Sequence, residues 1–339
     1  MYICKDCFLD EELRSEINAN AVIDGICDVC GKDGKVMDFS EFHGFFDAIL
    51  SLFEITNNGN KTIADIVQEE WKLFKNKEIA HVLLEDVISK YNHGFSINSI
   101  VDYTSDIKDR IAVWDRLKVS VKENSRFFTN IDEFVVYDYL KCGDNGLRIG
   151  DRLYRSRITP AGETILECSN MGCPPKALAT AGRANPIGIP YLYLCDTAKT
   201  TYYEVRAVYL DKLSVGTFEV TRDLKIVDFI HNVSLYNSYS DDITPFKNIL
   251  NEMYLQKRKV IDAISSDLSK PLRRYDSELE YVPTQLICEY CRRVVGADGI
   301  TFESSLHKGA RNYVLFDETS AKCINVESHE ITRIDIDKA

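Results

Sequence analysis

Between about residue 40 and residue 140 the apolar positions recur at intervals of three and four. They run as Phe42, Phe45, Phe46, Ile49 and Phe53, then Trp71, Phe74, Val82 and Val87, then Ile107, Ile111, Trp114, Leu117 and Val121. That spacing gathers each set on one stripe of a helix and predicts a small helical domain, with the aromatic positions as core. Asn76 and Ser96 stand where helix N-caps belong, while HGF (93–95) and NNGN (57–60) read as turns between helices. CGDNGLRIGD, Cys142 to Asp151, is a break rich in Gly, Asn and Asp, and beyond it the period changes. RLYRSRI, IPYLYL, TTYYEVRAVYL, TFEVT, LKIVDF and NYVLF alternate or run apolar with β-branched and aromatic residues, as short strands do. Two stretches, one from Ile243 and one from Pro283, keep a helical pattern, the second with Pro near its start. The second half is therefore expected to be α+β.

Composition narrows the reading. A chain of 339 residues suggests more than one domain, and 45% hydrophobic residues with only 17 Gly and 8 Pro exclude a low-complexity chain. A formal charge of −12 speaks against general nucleic-acid binding, which needs a basic footprint. The start, MYICKDCFLDEEL, lacks the basic and apolar regions of a secretory signal, so the expected location is the cytoplasm. The greasiest run, FFDAILSLFEI, carries Asp47 and Glu54 and is about half the roughly 20 residues of a membrane span. No membrane association is expected.

Eleven cysteines is an odd count, which favours reduced thiols and a metal over a disulfide framework. Cys4 and Cys7, then Cys27 and Cys30, give C-x2-C-x19-C-x2-C. Two such knuckles aim four thiolates at one centre, the pattern of a closed, structural zinc site. Four unliganded thiols in a reducing cytosol are the plain alternative. A nucleic-acid-binding zinc ribbon is another, with Asp10, Glu11, Glu12, Asp24 and Asp28 against it. The chain thus divides into a zinc knuckle (1–40), a helical domain (41–146) and an α+β domain (147–339).

One loop stands out. GRANPIGIPYLYL, Gly182 to Leu194, sets Arg183 and Asn185 between Gly and Pro just before a strand. A surface connector would look like this, and so would a scaffold that offers a fork of donors to an anion.

Read in order, LYRSRI, MGCPP, GRANPIGIPYLYL, TAKTTYYEVR, LKIVDF, YVPTQLICEYC and DGITFESSL resemble the RES-domain family over nearly all of residues 147 to 320. That family is named for its Arg, Glu and Ser, and its members resemble ADP-ribosyltransferases and act as NAD-consuming toxins. The resemblance implies that Arg155 is the family's Arg, Glu204 its Glu and Ser304 its Ser, with Tyr193 the aromatic that accompanies them. Arg157, two residues from Arg155, shares its face on a strand, and Ser305 adjoins Ser304, so both neighbours compete for the assignment. NAD is then a substrate. Its two phosphates suit Arg155 or Arg183, its cationic ring suits the face of Tyr193, and a carboxylate at Glu204 suits the positive charge that develops on the ribose. Ser304 can hold a ribose hydroxyl or a phosphate.

Each of these residues also has a bland role: Arg155 paired with Asp151, Tyr193 in the core, Glu204 solvated on a strand, and Ser304 in a turn. Cys288 and Cys291 in a helical pattern read as buried thiols. The amino-terminal half resembles the zinc-knuckle and HEPN-like domain that precedes longer members. HEPN ribonucleases follow an Arg with a His, but here no His follows Arg126 before His231. Three functions stay open: cleavage of NAD with water or phosphate as acceptor, ADP-ribosyl transfer to a protein or nucleotide, and an inactive interaction module. An antitoxin or other regulatory protein, and a second copy in a homo-oligomer, are the candidate partners, on which the sequence itself is silent.

Overall fold

The computed structural model describes residues 1–127, 129, 140, 146–230, 234–236, 252–270 and 278–333. Cys142, His231 and the start of the helical stretch from Ile243 lie outside the described residues. The chain forms two compact units, Met1–Ala112 with Asn232–Lys259, and Val113–His231 with Val260–Ala339.

In the first unit, strands β1 (Tyr2–Ile3), β2 (Ile23–Ile26) and β3 (Asp33–Asp38) form an antiparallel sheet in the order β1-β3-β2. Helix α1 (Glu11–Asn20) begins at Asp10, whose carboxylate accepts from the backbone N–H groups of Glu12 and Leu13. Cys4 and Cys7 flank one tight turn and Cys27 and Cys30 another, where Gly31 takes a φ of +71° that a side chain would resist. The four sulfurs lie within 4.8 Å of one another. Helices α2 (His43–Leu50), α3 (Ile63–Ile66), α4 (Lys77–Lys90) and α5 (Ser105–Ile111) follow, with a two-stranded pair of β4 (Phe53–Ile55) and β5 (Val101–Tyr103). Phe8 of the knuckle packs 5.6 Å from Phe74 and 6.4 Å from Phe46, ring centre to ring centre. The knuckle and the helices therefore share one core.

The periodic reading fails at three points. Phe53 belongs to a strand, because the helix of Phe45 and Phe46 ends at Leu50. Val82 is 46% exposed on α4, where Ile79, Leu83, Leu84 and Val87 form the buried stripe. Ser96 closes a turn with Ser99 and caps no helix.

The second unit is built on a seven-stranded sheet. Its strands are β6 (Arg152–Ile158), β7 (Leu192–Cys195), β8 (Lys212–Val220), β9 (Ile226–Asp228), β10 (Gly299–Glu303), β11 (Arg311–Leu315) and β12 (Ala321–Glu330), in the order β12-β8-β6-β7-β11-β10-β9. All neighbours are antiparallel except β9 and β10. Alternation gives the sheet two apolar faces: Val314, Ile300 and Phe302 join one core, while Leu315, Leu192 and Leu194 join the other. Helices α6 (Val113–Val119), α7 (Ala198–Glu204) and α9 (Val282–Tyr290) belong here, as do the residues of α8 (Glu252–Ser269) from Val260 onward. Trp114 and Leu117 thus sit in the second core, because helical spacing shows which face is apolar but not which core receives it. Cys288 and Cys291 are fully buried thiols in that core.

TTYYEVRAVYL is the largest departure. Its first part is α7, started by Thr197, whose hydroxyl accepts from the N–H of Thr200, and the rest is a connection to β8. No described helix is long and apolar enough to cross a membrane.

The cap on α4 is testable. Asn76 accepts from the N–H of Ile79 at 2.9 Å, so Asn76→Ala should lower stability by about 1 kcal/mol. Urea unfolding of the two proteins checks this.

Candidate active site

The fold brings α7, the middle of β6, the end of β7, the 179–185 loop and the turn after Ser304 to one cavity of about 530 Å³. Arg155, Arg183, Asn185, Tyr193, Glu204 and Asn312 are on its wall.

Glu204 ends α7, and Oε1 accepts from Ser304 Oγ at 2.7 Å and from Asn312 Nδ2 at 2.8 Å. Two donors on one oxygen fix the carboxylate plane and leave Oε2 without a hydrogen-bond partner among the described residues. Asn312 is held in turn, since its Oδ1 accepts from Cys195 Sγ at 3.2 Å. Burial and the Glu204 charge nearby push the Cys195 thiol well above its ordinary range, which keeps it a donor. Helix α7 is anchored on β6 by Thr201, whose hydroxyl pairs with that of Ser156. Of the two candidate serines, Ser304 is buried and touches Glu204; Ser305 lies on the wall with no such contact.

Arg155 and Arg157 point the same way from β6, as their separation by two requires. Arg155 Nη1 donates to the carbonyls of Met171 (3.2 Å) and Gly172 (2.8 Å), and Arg157 Nη2 donates to Gly172 (2.7 Å). The alternative role of Arg155, a pair with Asp151, is absent, for Asp151 accepts instead from the N–H of Arg148. Burial first, and then the Arg157 charge, push Arg155 below the usual guanidinium value. Only Arg155 of the two reaches the cavity.

The 182–185 loop is a clasp. Gly182 N–H donates to the Asn185 carbonyl at 2.9 Å, and Asn185 Nδ2 donates to the carbonyls of Thr180 and Pro186. Tyr193 donates its hydroxyl proton to Asn185 Oδ1 at 2.7 Å and accepts from Ala184 N–H at 3.3 Å. Buried at its hydroxyl end, Tyr193 titrates well above the ordinary tyrosine range. From α9, Gln285 Nε2 donates to the carbonyls of Gly182 (2.8 Å) and Asn185 (3.0 Å). Arg183, freed from bracing the loop, stacks over the ring of Tyr281 at 5.2 Å.

Comparison with known families decides the kinship. The model described as "RES domain" matches residues 152–337, more than half of the chain. The chain belongs to the RES-domain family. No curated protein matches it. Among solved structures, a chain of the M. tuberculosis MbcT–MbcA toxin–antitoxin complex is similar at 17% identity, over 54% of this chain and 86% of that one, with a TM-score of 0.32.

Within the RES domain, Asn312 and Gln285 are the residues that the sequence reading missed. Asn312 was legible as a polar residue in the buried phase of β11, two positions from Val314. Nothing local marks Gln285, whose partners are backbone atoms a hundred residues away.

The close approach at Gly182 can be tested. A Cβ there would lie 2.7 Å from Asn185 Oδ1 and 2.9 Å from the Tyr193 hydroxyl, so Gly182→Ala should cost about 1–3 kcal/mol by forcing the clasp apart. Gly172→Ala, with nothing within 4 Å, should be neutral or stabilise by up to about 1 kcal/mol. Thermal unfolding of both variants checks the contrast.

Proposed function

We propose that this RES-domain protein cleaves NAD at the bond between nicotinamide and ribose, with water or phosphate as acceptor. The observation that carries this reading is Glu204, a carboxylate oriented through one oxygen by Ser304 and Asn312 at the wall of a cavity that Arg155 and Arg183 also line. Departure of nicotinamide builds positive charge on the sugar, and a fixed anion with a free oxygen stabilises that state more than the ground state. Arg155 supplies a cation that no described carboxylate neutralises, and Arg183 lies across an aromatic face, so both suit the pyrophosphate. Arg157 strengthens that field from behind. Tyr193, with its hydroxyl engaged by Asn185, offers its ring to the cationic nicotinamide. Ser304, already donating to Glu204, contributes by positioning it.

Zinc at Cys4, Cys7, Cys27 and Cys30 belongs to the same proposal. Tetrahedral coordination with Zn–S bonds of about 2.3 Å separates sulfurs by about 3.8 Å, and the observed separations of 3.4 Å (Cys4 to Cys30) and 3.5 Å (Cys7 to Cys27) fit. Such a site braces the first unit and takes no part in the chemistry. An HEPN-like character for the helices of that unit, an antitoxin or other protein as inhibitor, and a homo-oligomeric state are further parts of the reading.

Glu204→Gln keeps an acceptor for Ser304 and Asn312 but removes the charge. The folded variant should release nicotinamide from NAD on the order of a hundredfold more slowly, or worse. Near-normal turnover would falsify the role of Glu204, and the fate of the ADP-ribose separates cleavage from transfer.

Metal analysis of the protein, purified without chelator, should find about one zinc per chain, lost in Cys4→Ser with Cys27→Ser. A metal-free wild-type protein would sink the zinc assignment.

A further inference from the structure

Two thiols near the carbonyls that hold Arg155 have no place in the chemistry above. Cys168 opens the short turn Cys168–Asn170, and Cys323 lies on the edge strand β12, 155 positions away in sequence. Their sulfurs are 3.0 Å apart, with the Cys323 thiol donating to Cys168. Both residues are half-buried. The register of β12 on β8 shifts between Cys323 and Asn325, so the strand is already bent where the sulfur leaves it. Gly216 of β8 makes the room: a Cβ there would meet Met171 Cε at 3.2 Å and Cys323 Sγ at 3.4 Å. Gly216 is also the partner of Arg155 across β6 and β8.

We infer that Cys168 and Cys323 form a reversible disulfide that ties the turn supporting Arg155 to the edge of the sheet. A bond of about 2.05 Å needs about 1 Å of approach from the present contact, which a one-turn segment facing an edge strand can supply. The turn runs directly into the carbonyl cradle, since Met171 N–H donates to the Cys168 carbonyl at 3.1 Å and the next two carbonyls hold Arg155 and Arg157. Cross-linking Cys168 therefore restrains the oxygens that orient the two guanidinium groups.

The oxidant is a small-molecule disulfide. Cys168, with Cys323 donating to it, attacks one sulfur of that disulfide and expels the other as a thiol. Burial and the neighbouring Cys168 push the Cys323 thiol up to about 12, so Cys323 acts second. As it loses its proton it attacks Cys168 and expels the remaining thiol. Two protein thiols and one disulfide give one protein disulfide and two small thiols, and the two electrons pass to the oxidant. The inference does not depend on NAD being the substrate.

The test uses the full chain with oxidised glutathione, followed by alkylation, digestion without reductant and mass spectrometry. The expected product is a peptide pair joined through Cys168 and Cys323 that dithiothreitol separates. In Cys323→Ser, Cys168 should instead keep a single glutathione. The proposal is overturned if the wild-type protein, folded by circular dichroism, leaves both thiols free, carries glutathione on each, or links either to another cysteine. Because the wild-type protein decides the main point, a variant that misfolds cannot shelter it.

Discussion

Two guanidinium groups side by side, answered only by carbonyl oxygens, are the constraint on which the site region depends. Arg155 and Arg157 share the carbonyl of Gly172, and neither is ion-paired with a carboxylate of the described residues. Partly buried like charges raise each other's energy unless dipoles converge on them. The 168–172 turn exists in its observed form to supply those dipoles, and Met171 is buried completely to hold it there. The result is a positive field without a resident counterion. In the proposed function this is the charge that the substrate's pyrophosphate would meet, in a setting where little reorganisation is left to perform.

Across the cavity the logic is inverted. Glu204 is a carboxylate satisfied by neutral donors on one oxygen only, and those donors come from β11 and the turn after β10, which are joined as a hairpin. Its own helix is bound to β6 through Ser156 and Thr201. Cation and anion are therefore mounted on one sheet, and each is oriented by groups that carry no net charge. Neither side can collapse onto the other as an ordinary ion pair without breaking its own support.

Much of this was legible before any coordinates. The alternation in RLYRSRI, IPYLYL and NYVLF gave strands because the sheet buries both faces and β-branched or aromatic residues suit a pleated surface. The two cysteine knuckles were visible because metal-like spacing is set by local turn geometry. TTYYEV misled for the same physical reason that strands were found elsewhere: its residues favour a strand, yet Thr197 caps and the buried Thr200 and Thr201 lie one turn from Glu204. Asn312 carried a signal, a polar residue in the buried phase of its strand, but the strand pattern drew attention to its apolar neighbours instead. Gln285 could not be found from pattern, because a side chain that binds distant backbone leaves no periodic trace. The RES blocks located Arg155, Tyr193, Glu204 and Ser304 in the chain, but only the fold gathers Arg155, Tyr193 and Glu204 on one cavity, with Ser304 bound to Glu204.

The interleaving of the two units has a consequence for synthesis on the ribosome. The first unit draws Leu235 and Leu255 into its core, so its hydrophobic interior is not complete when residue 112 emerges. By the time those two leucines are available, strands β6 to β9 have already left the tunnel, while β10 to β12 have not. For that interval β7 waits without β11, and β9 without its parallel partner. Vectorial folding in order of domains is the usual route for a chain of two compact units, and here the first unit receives its last residues, up to Lys259, only after Val113–His231 of the second. The second unit is finished last, and until then the nascent chain carries unpaired strand edges, which other chains can pair with.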